Sequence, residues 1–358
     1  MFGLELQVLW FIIIAVLFAG YFLLEGFDFG VGMLLPFLGR REPERKAMLK
    51  TIGPVWDANE VWLITAGGAL FAAFPEWYAT MFSGFYLPLF LILVALIVRI
   101  VGLEWRSKVH SDTWRAWCDR AIIVGSWLPA VLWGVAVANL VRGVPIDANA
   151  QIDSSLTGLL AMMNPYALLG GATFAALFAL HGLTFLRLKT AGTLHAELAA
   201  GIRPLAVATV LAAASFVVWT QLSFGKPVTI AVASIALVAV IVGIVALFQG
   251  RDGIAFFATS ISILAATALI FGAMYPFLMP STVPGGISLD IWNSASSAYT
   301  LRIMTWAALL IAPLVMAYQA WTYWVFRKRI TAEPTTMTTM STTETASQSA
   351  AGEVPSAQ

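Results

Sequence analysis

Long runs of apolar residues, separated by short polar stretches, repeat along almost the whole chain. A hydrocarbon core of about 30 Å needs about 20 apolar residues in a helix, and these runs meet that length. The pattern therefore predicts an all-α polytopic membrane protein with nine transmembrane helices. Their predicted ranges are 7–35, 53–74, 79–102, 119–141, 163–186, 203–223, 227–248, 254–275 and 303–326.

The composition fits this class, because 60% of the 358 residues are hydrophobic and only 11% are charged. The formal net charge is only +1, so the chain lacks the excess of positive charge that is typical of nucleic-acid-binding proteins. The single cysteine, Cys118, excludes an intrachain disulfide and a cysteine-rich metal site. The chain contains no phosphate-binding loop, nucleophile elbow or dinucleotide fingerprint, so the common soluble enzyme classes find no support.

The basic residues are distributed unevenly between the two sides of the predicted spans. Of the 20 Lys and Arg residues, 17 lie in or beside the connections that follow spans one, three, five and seven or in the C-terminal flank. The other three, Arg142, Lys226 and Arg302, lie on the opposite side. Because basic residues are retained on the cytoplasmic side, this asymmetry predicts an external N-terminus and a cytoplasmic C-terminus. The regular alternation also supports the count of nine spans.

One transmembrane domain is predicted over residues 1–330. Four spans, four more spans and one extra helix favour two four-helix bundles, in 1–141 and 163–275, with the extra helix at 303–326. Residues 331–358 are rich in Thr, Ser, Ala and Glu and hold few large apolar residues. Such a segment buries too little surface to fold, so we predict a disordered cytoplasmic tail.

Four carboxylates interrupt the first two spans, where each would cost roughly 2.5–3.5 kcal/mol at the bilayer centre. Glu25 and Asp28 are spaced i, i+3 near the cytoplasmic end of span one, and Asp57 and Glu60 have the same spacing at the start of span two. The pairs fall at similar depth on antiparallel neighbours, so facing helices would form one acidic cluster. Such a cluster can hold and pass protons, with Asp57 and Glu25 as the main candidates.

Further polar residues extend this candidate proton pathway. Asn59, Thr65 and Tyr21 would add hydrogen-bonding groups, and Arg99 at the inner end of span three is a candidate counter-ion. Glu104 continues the acidic trend at the inner surface. The alternative interpretation is structural. The acids would cap the N-terminus of span two in the hydrated membrane interface, where a carboxylate near a helix N-terminus is favourable.

The three histidines exclude a haem with two histidine ligands within this chain, because only His181 lies in a predicted span. His110 and His195 fall in cytoplasmic connections, and a His-rich metal centre is excluded on the same ground. We interpret His181 as a polar group facing the bundle interior. Contact with a cofactor held by another subunit is the alternative.

Two pairs of glycines within the spans predict close packing between helices. The first pair is Gly26 and Gly30, and the second is Gly67 and Gly68. Small side chains at such positions let two backbones approach each other.

At several points the chain resembles subunit II of the cytochrome bd quinol oxidases, and the resemblance covers nearly everything except the tail. It departs from the family at Ala58, where the family has Gly, and in the short stretch 223–226 between spans six and seven. The residues that carry the resemblance are Gly26-Phe27-Asp28-Phe29-Gly30-Val31-Gly32-Met33, Trp56-Asp57-x-Asn59-x-Val61-Trp62-Leu63, Gly67-Gly68-Ala69-Leu70-Phe71-Ala72-Ala73, Phe82-Ser83-Gly84-Phe85-Tyr86, Asn164-Pro165, Phe277-x-Met279-Pro280-Ser281 and Leu301-x-x-Met304-Thr305-Trp306.

The resemblance implies a bacterial cytoplasmic-membrane protein that pairs with a haem-bearing subunit I. That partner would carry two b-type haems and a third haem of d or b type, and the complex would oxidise quinol and reduce dioxygen to water. This chain would hold no haem and would contribute carboxylates to proton uptake from the cytoplasm. The resemblance leaves room for a structural quinone or lipid here and for small accessory subunits.

Two other functions remain open from the residues alone. A stand-alone proton-coupled transporter also carries membrane acids, but its substrate site would lie near the midplane, whereas these acids lie toward the cytoplasm. A purely structural assembly subunit would need no proton pathway at all.

Overall fold

The computed structural model describes residues 5–332, and within them the chain is almost entirely helical. One 3-10 turn (Leu198–Gly201) and four short strands, β1 (Thr190–Ala191), β2 (Phe277–Met279), β3 (Leu289–Asp290) and β4 (Ile330–Thr331), complete it. The helices are α1 (Leu6–Leu38), α2 (Glu42–Ile52), α3 (Trp56–Ala73), α4 (Pro75–Gly84), α5 (Tyr86–Trp105), α6 (Asp112–Arg142), α7 (Leu156–Ala161), α8 (Pro165–Lys189), α9 (Thr193–Glu197), α10 (Ile202–Phe224), α11 (Pro227–Phe248), α12 (Asp252–Met274) and α13 (Ala298–Val325).

Eight helical segments of the described residues are long and apolar enough to cross a membrane, which confirms the polytopic membrane class. They are α1, α5, α6, α8, α9 continuing into α10, α11, α12 and α13. Helix α3 is not among them, because its 18 residues carry Asp57, Asn59 and Glu60 in the first two turns. The ninth span and the orientation of the termini therefore stay predictions.

The third predicted span, 79–102, begins later than its apolar pattern suggests. The chain turns at Phe85, so residues up to Gly84 form α4 and the long helix α5 starts at Tyr86. Gly84 lies directly against Ile152 from the connection before α7, which leaves no room for a larger side chain. Apolarity alone did not reveal this break, because both helices are apolar.

Helix α1 runs through the middle of the molecule, and residues 25–35 are buried without interruption. A helix that is apolar around its whole circumference is enclosed by other elements. Helix α1 contacts α3 and α6 from the first half of the chain and α8 and α12 from the second half. Helix α1 therefore packs against helices from both halves of the chain. The division into two four-helix bundles stays a prediction.

The backbones of α1 and α8 touch where they cross. Gly30 lies against Gly182, and a Cβ atom on Gly30 would overlap the carbonyl oxygen of Phe178. The predicted close packing is confirmed at this glycine. An added Cβ atom on Gly67 or Gly68 would meet nothing of the described chain within 4 Å, so close packing at this pair stays a prediction.

Two short strands join the end of α8 to the segment after α13. Strands β1 and β4 pair in parallel, with Ala191 opposite Thr331. Thr331 was predicted to begin the disordered tail, so the ordered chain extends slightly further than the sequence pattern indicates. The rest of that predicted tail, from residue 333 onward, lies outside the described residues.

Replacing Gly30 with Ala should destabilise the protein, because the new methyl group forces the α1 and α8 backbones apart. Overpacking of this kind costs about 1–3 kcal/mol. The measurement is the midpoint of thermal unfolding in detergent. Gly253→Ala is the matched control, since an added Cβ atom there has open space around it. Equal midpoints for the two variants would show that the helix crossing tolerates a side chain.

Candidate functional site

The guanidinium group of Arg99 is completely buried and lies between two carboxylates from neighbouring helices. Its Nη1 atom donates to Glu25 of α1 and lies 3.3 Å from Oε1 of Glu60 of α3. The Phe29 ring covers one face of the group, 4.9 Å from Cζ to the ring centroid. Glu25 is also fully buried, whereas the Glu60 side chain keeps 17% of its surface exposed.

The sequence of α5 explains why a charged side chain points inward. The buried positions of this helix recur every three or four residues, which is the spacing of one helical face. Arg99 falls on that face, while most residues of the other faces are exposed apolar side chains. The buried positions are Pro88, Ile92, Ala95, Leu96, Arg99 and Gly102.

A second set of contacts starts at Asp28, one turn further along α1. Its Oδ2 atom accepts a hydrogen bond of 2.6 Å from the side-chain amide of Asn59. The Asn59 Oδ1 atom in turn accepts from the Tyr323 hydroxyl at 2.6 Å and from Gln319 at 3.4 Å. Gln319 also accepts a 2.8 Å hydrogen bond from the Trp62 indole. We call Glu25, Asp28, Glu60, Arg99 and Asn59 together the acid cluster.

The structure brings only some of the sequence-predicted residues together. Glu25, Asp28, Glu60, Arg99 and Asn59 meet, so the carboxylates of α1 and α3 do face one region. Asp57, Thr65 and Glu104 are exposed instead, and none of the three has a side-chain partner on another helix of the described chain. Tyr21 is buried beside Trp133, and its hydroxyl has no hydrogen-bond partner among the described residues.

Sequence reasoning missed the contribution of α13. Gln319 and Tyr323 are spaced i, i+4 in an otherwise apolar span, which places both on one helical face. That spacing was a usable signal. Only Leu301 and Gln319 of this helix are buried, so the polar contacts to Asn59 and Trp62 are a large part of what holds α13 in position.

His181 lies buried in the bundle interior, and both of its ring nitrogens have polar neighbours. Its Nδ1 atom lies 2.8 Å from the Thr259 hydroxyl, and its Nε2 atom lies 3.2 Å from the carbonyl oxygen of Leu23. The ring also stacks on Phe256, with centroids 4.8 Å apart. Both nitrogens are thus engaged, which favours a polar group of the bundle interior. Within residues 5–332 no group of three His, Cys, Asp or Glu side chains is placed to hold a metal ion.

A salt-bridge network outside the acid cluster joins the ends of α2, α5 and α6. Arg106 forms two 2.8 Å hydrogen bonds with the carboxylate of Glu42 and one of 2.6 Å with Asp119. Arg45 reaches the second oxygen of Asp119 at 2.9 Å. Bidentate pairs of this kind hold planar geometry well, so the end of α5 that carries Arg99 is firmly anchored.

Arg99→Gln should destabilise the protein strongly, because it leaves Glu25 buried without its cation. Removing one partner of a buried ion pair costs about 3–5 kcal/mol, and the readout is the thermal unfolding midpoint of the purified protein. Arg302→Gln is the control, since that side chain is exposed and has no ion pair in the described chain. Adding Glu25→Gln to Arg99→Gln should recover part of the loss. A midpoint for Arg99→Gln equal to that of the control would contradict the buried pair.

Comparison with known proteins identifies the family. The family described as cytochrome bd terminal oxidase subunit II matches residues 6–326. Cytochrome bd ubiquinol oxidase subunit 2 of Bacillus subtilis is 41% identical over 331 residues, covering 91% of this chain and 97% of that protein. Cytochrome bd-I ubiquinol oxidase subunit 2 of Escherichia coli K12 is 35% identical over 364 residues, covering 92% and 96%.

The fold agrees with a solved relative. A chain of the bd oxidase structure from Geobacillus thermodenitrificans superposes with a TM-score of 0.73 over 90% of this chain and 99% of that one. Its sequence identity is 18%, so this likeness bears on the fold alone. The family match and the two relatives decide the assignment: the chain belongs to the cytochrome bd terminal oxidase subunit II family and is a multi-pass protein of the bacterial cytoplasmic membrane.

Proposed function

We propose that this chain is the haem-free subunit of a terminal oxidase that oxidises quinol and reduces dioxygen to water. Its haem-bearing partner subunit would carry the redox centres, while this chain stabilises that partner and supplies a proton route from the cytoplasm. The names of the relatives, which are ubiquinol oxidase subunits, support the substrate class. The engagement of both His181 nitrogens supports the haem-free role.

Charge balance in the acid cluster is the observation that carries the proton route. The cluster holds three carboxyl groups and one guanidinium: Glu25 and Glu60 contact Arg99, and Asp28 accepts from Asn59. It is neutral only when two of the three carboxyl groups hold protons. Burying net charge costs free energy. When one carboxyl group loses its proton and becomes negative, uptake of a proton by a neighbouring carboxylate therefore becomes more favourable. Such coupling suits groups that accept and release protons in turn.

Exposure orders the carboxylates into a path. Asp57 lies at the surface, Glu60 is half-buried one turn further along the same helix, and Glu25 is fully buried and contacts the same Arg99 nitrogen atom as Glu60. We propose that protons enter at Asp57 and pass through Glu60 to Glu25. Asp28 and Asn59 flank this route, and Glu104, exposed near the inner end of α5, is a candidate for collecting protons at the surface.

We infer that the partner subunit binds along the exposed face of α3. Asp57, Val61 and Ile64 share one exposed face of α3 at spacings of four and three residues. A carboxylate on a transmembrane face that meets lipid is costly, so polar groups of another subunit would cover it. In this arrangement α3 is the ninth span, the N-terminus is external and the C-terminus is cytoplasmic.

Family membership removes the support for a stand-alone transporter, because the relatives are subunits of an oxidase. The purely structural assembly subunit remains the second candidate. The loose attachment of α13, with only two buried residues, would suit a chain whose outer helix is completed by a partner. Variants of the carboxylates separate this candidate from the proton-route proposal.

Asp57→Asn and Glu60→Gln should each slow quinol-dependent oxygen consumption by about 100-fold, the lower end of what positioned proton-transfer groups contribute. The haem absorption spectrum of the purified complex should stay largely unchanged, because the haems are proposed to lie in the partner subunit. Oxygen consumption and the spectrum are measured on the same preparation.

Glu76→Gln is the matched control for these variants. Glu76 is an exposed carboxylate in the first turn of α4, which follows the end of α3 opposite to Asp57 and Glu60. It should retain the full rate. Full oxidase rates in both Asp57→Asn and Glu60→Gln would contradict the proton route and leave the structural subunit as the better account.

A further inference from the structure

A cavity of about 430 Å³ lies between α1, α8, α12 and α13, apart from the acid cluster. Its walls are mainly apolar, with Leu23 and Phe27 on α1, Phe185 on α8 and Phe256 on α12. The volume is within the range of ligand pockets, about 300–1,000 Å³. An apolar chain is therefore the kind of group that these walls accept.

The mouth of the cavity is basic. Lys189, Arg327 and Arg329 line it, and no carboxylate is among the lining residues of the described chain. Lys189 donates to the carbonyl oxygen of Phe326 at the end of α13, which holds its ammonium group at the rim. The carboxylate nearest to this rim, Asp252, lies 3.9 Å from Arg329 and is already paired with Arg187 at 2.8 Å.

The combination of an apolar interior and a cationic rim selects an amphiphile with a negative head. Arg327 and Arg329 are exposed, with the side chain of Arg329 keeping 51% of its surface. Arg327 donates to the carbonyl oxygen of Trp324 at 2.6 Å, and the carboxylate near Arg329 is shared with Arg187, so neither cation is neutralised by a carboxylate of its own. Basic pockets between transmembrane helices bind anionic headgroups, each basic residue contributing about 1 kcal/mol. A neutral quinone would gain hydrogen bonds from these groups but not the charge–charge attraction that a phosphate gains.

We propose that this cavity is a binding site for one anionic phospholipid. An acyl chain lies against Phe27, Phe185 and Phe256, and the phosphate is held by Lys189, Arg327 and Arg329. The lipid bridges α8 and α13, whose direct packing is slight. It also lies beside Tyr323, which lines the cavity and donates to Asn59 of the acid cluster.

The test uses the intact complex with its partner subunit, washed free of lipid and titrated with phosphatidylglycerol. Native mass spectrometry counts the bound lipid at each concentration. Phosphatidylcholine with the same acyl chains is the comparison lipid. We expect one tightly held phosphatidylglycerol, and a double change, Arg327→Gln with Arg329→Gln, should weaken it by about 30-fold at about 1 kcal/mol per charge.

Lys328→Gln is the matched control, because Lys328 lies between the two arginines and does not line the cavity. It should leave the affinity unchanged. Ser260→Phe fills the cavity from α12 without altering charge and should also release the lipid, so the proposal can be tested if the double variant fails to assemble.

Three results would overturn the proposal. They are equal affinity for the two lipids, equal weakening by Lys328→Gln, or a tightly bound quinone in place of phospholipid. Lipid counts do not depend on oxidase rate, so this outcome is separate from the carboxylate variants.

Discussion

The buried ion pair between Arg99 and Glu25 is the constraint on which the arrangement of the first three long helices depends. A guanidinium with no exposed surface needs a carboxylate within reach, and Glu25 of α1 supplies it. Glu60 of α3 shares the same nitrogen atom, so one cation fixes α1, α3 and α5 relative to each other. Rotation of α1 or α5 would leave a buried charge unpaired, and rotation of α3 would remove the second carboxylate, Glu60, from Arg99.

The rest of the site follows from this constraint. With α1 and α3 held in register, Asp28 faces Asn59, and Asn59 in turn accepts hydrogen bonds from α13. The helix with the least buried surface is thus held by polar contacts to the same cluster. The proposed proton route would therefore be coupled to assembly, because the groups proposed to carry protons also position the helices around them.

Much of the fold could be predicted from apolar runs, since membrane spans are defined by length and hydropathy. The meeting of Glu25, Asp28 and Glu60 could be anticipated from their spacing and depth. The outward position of Asp57 could not, because it depends on how α3 is rotated about its axis, and both faces of that helix carry polar residues. The participation of Tyr323 was also hidden, since it depends on a contact across more than 260 positions. The break at Phe85 escaped for a different reason, because apolarity does not mark where one helix ends and another begins.

The most direct test of the account is infrared difference spectroscopy of the purified complex between its oxidised and reduced states. Protonated carboxyl groups absorb separately from carboxylates, so the spectrum reports which groups change protonation during turnover. The account predicts a protonated-carboxyl band that changes between the two states and is diminished in Glu25→Gln. A band that is absent, or that is identical in Glu25→Gln and the unaltered complex, would contradict a proton-carrying role for the acid cluster.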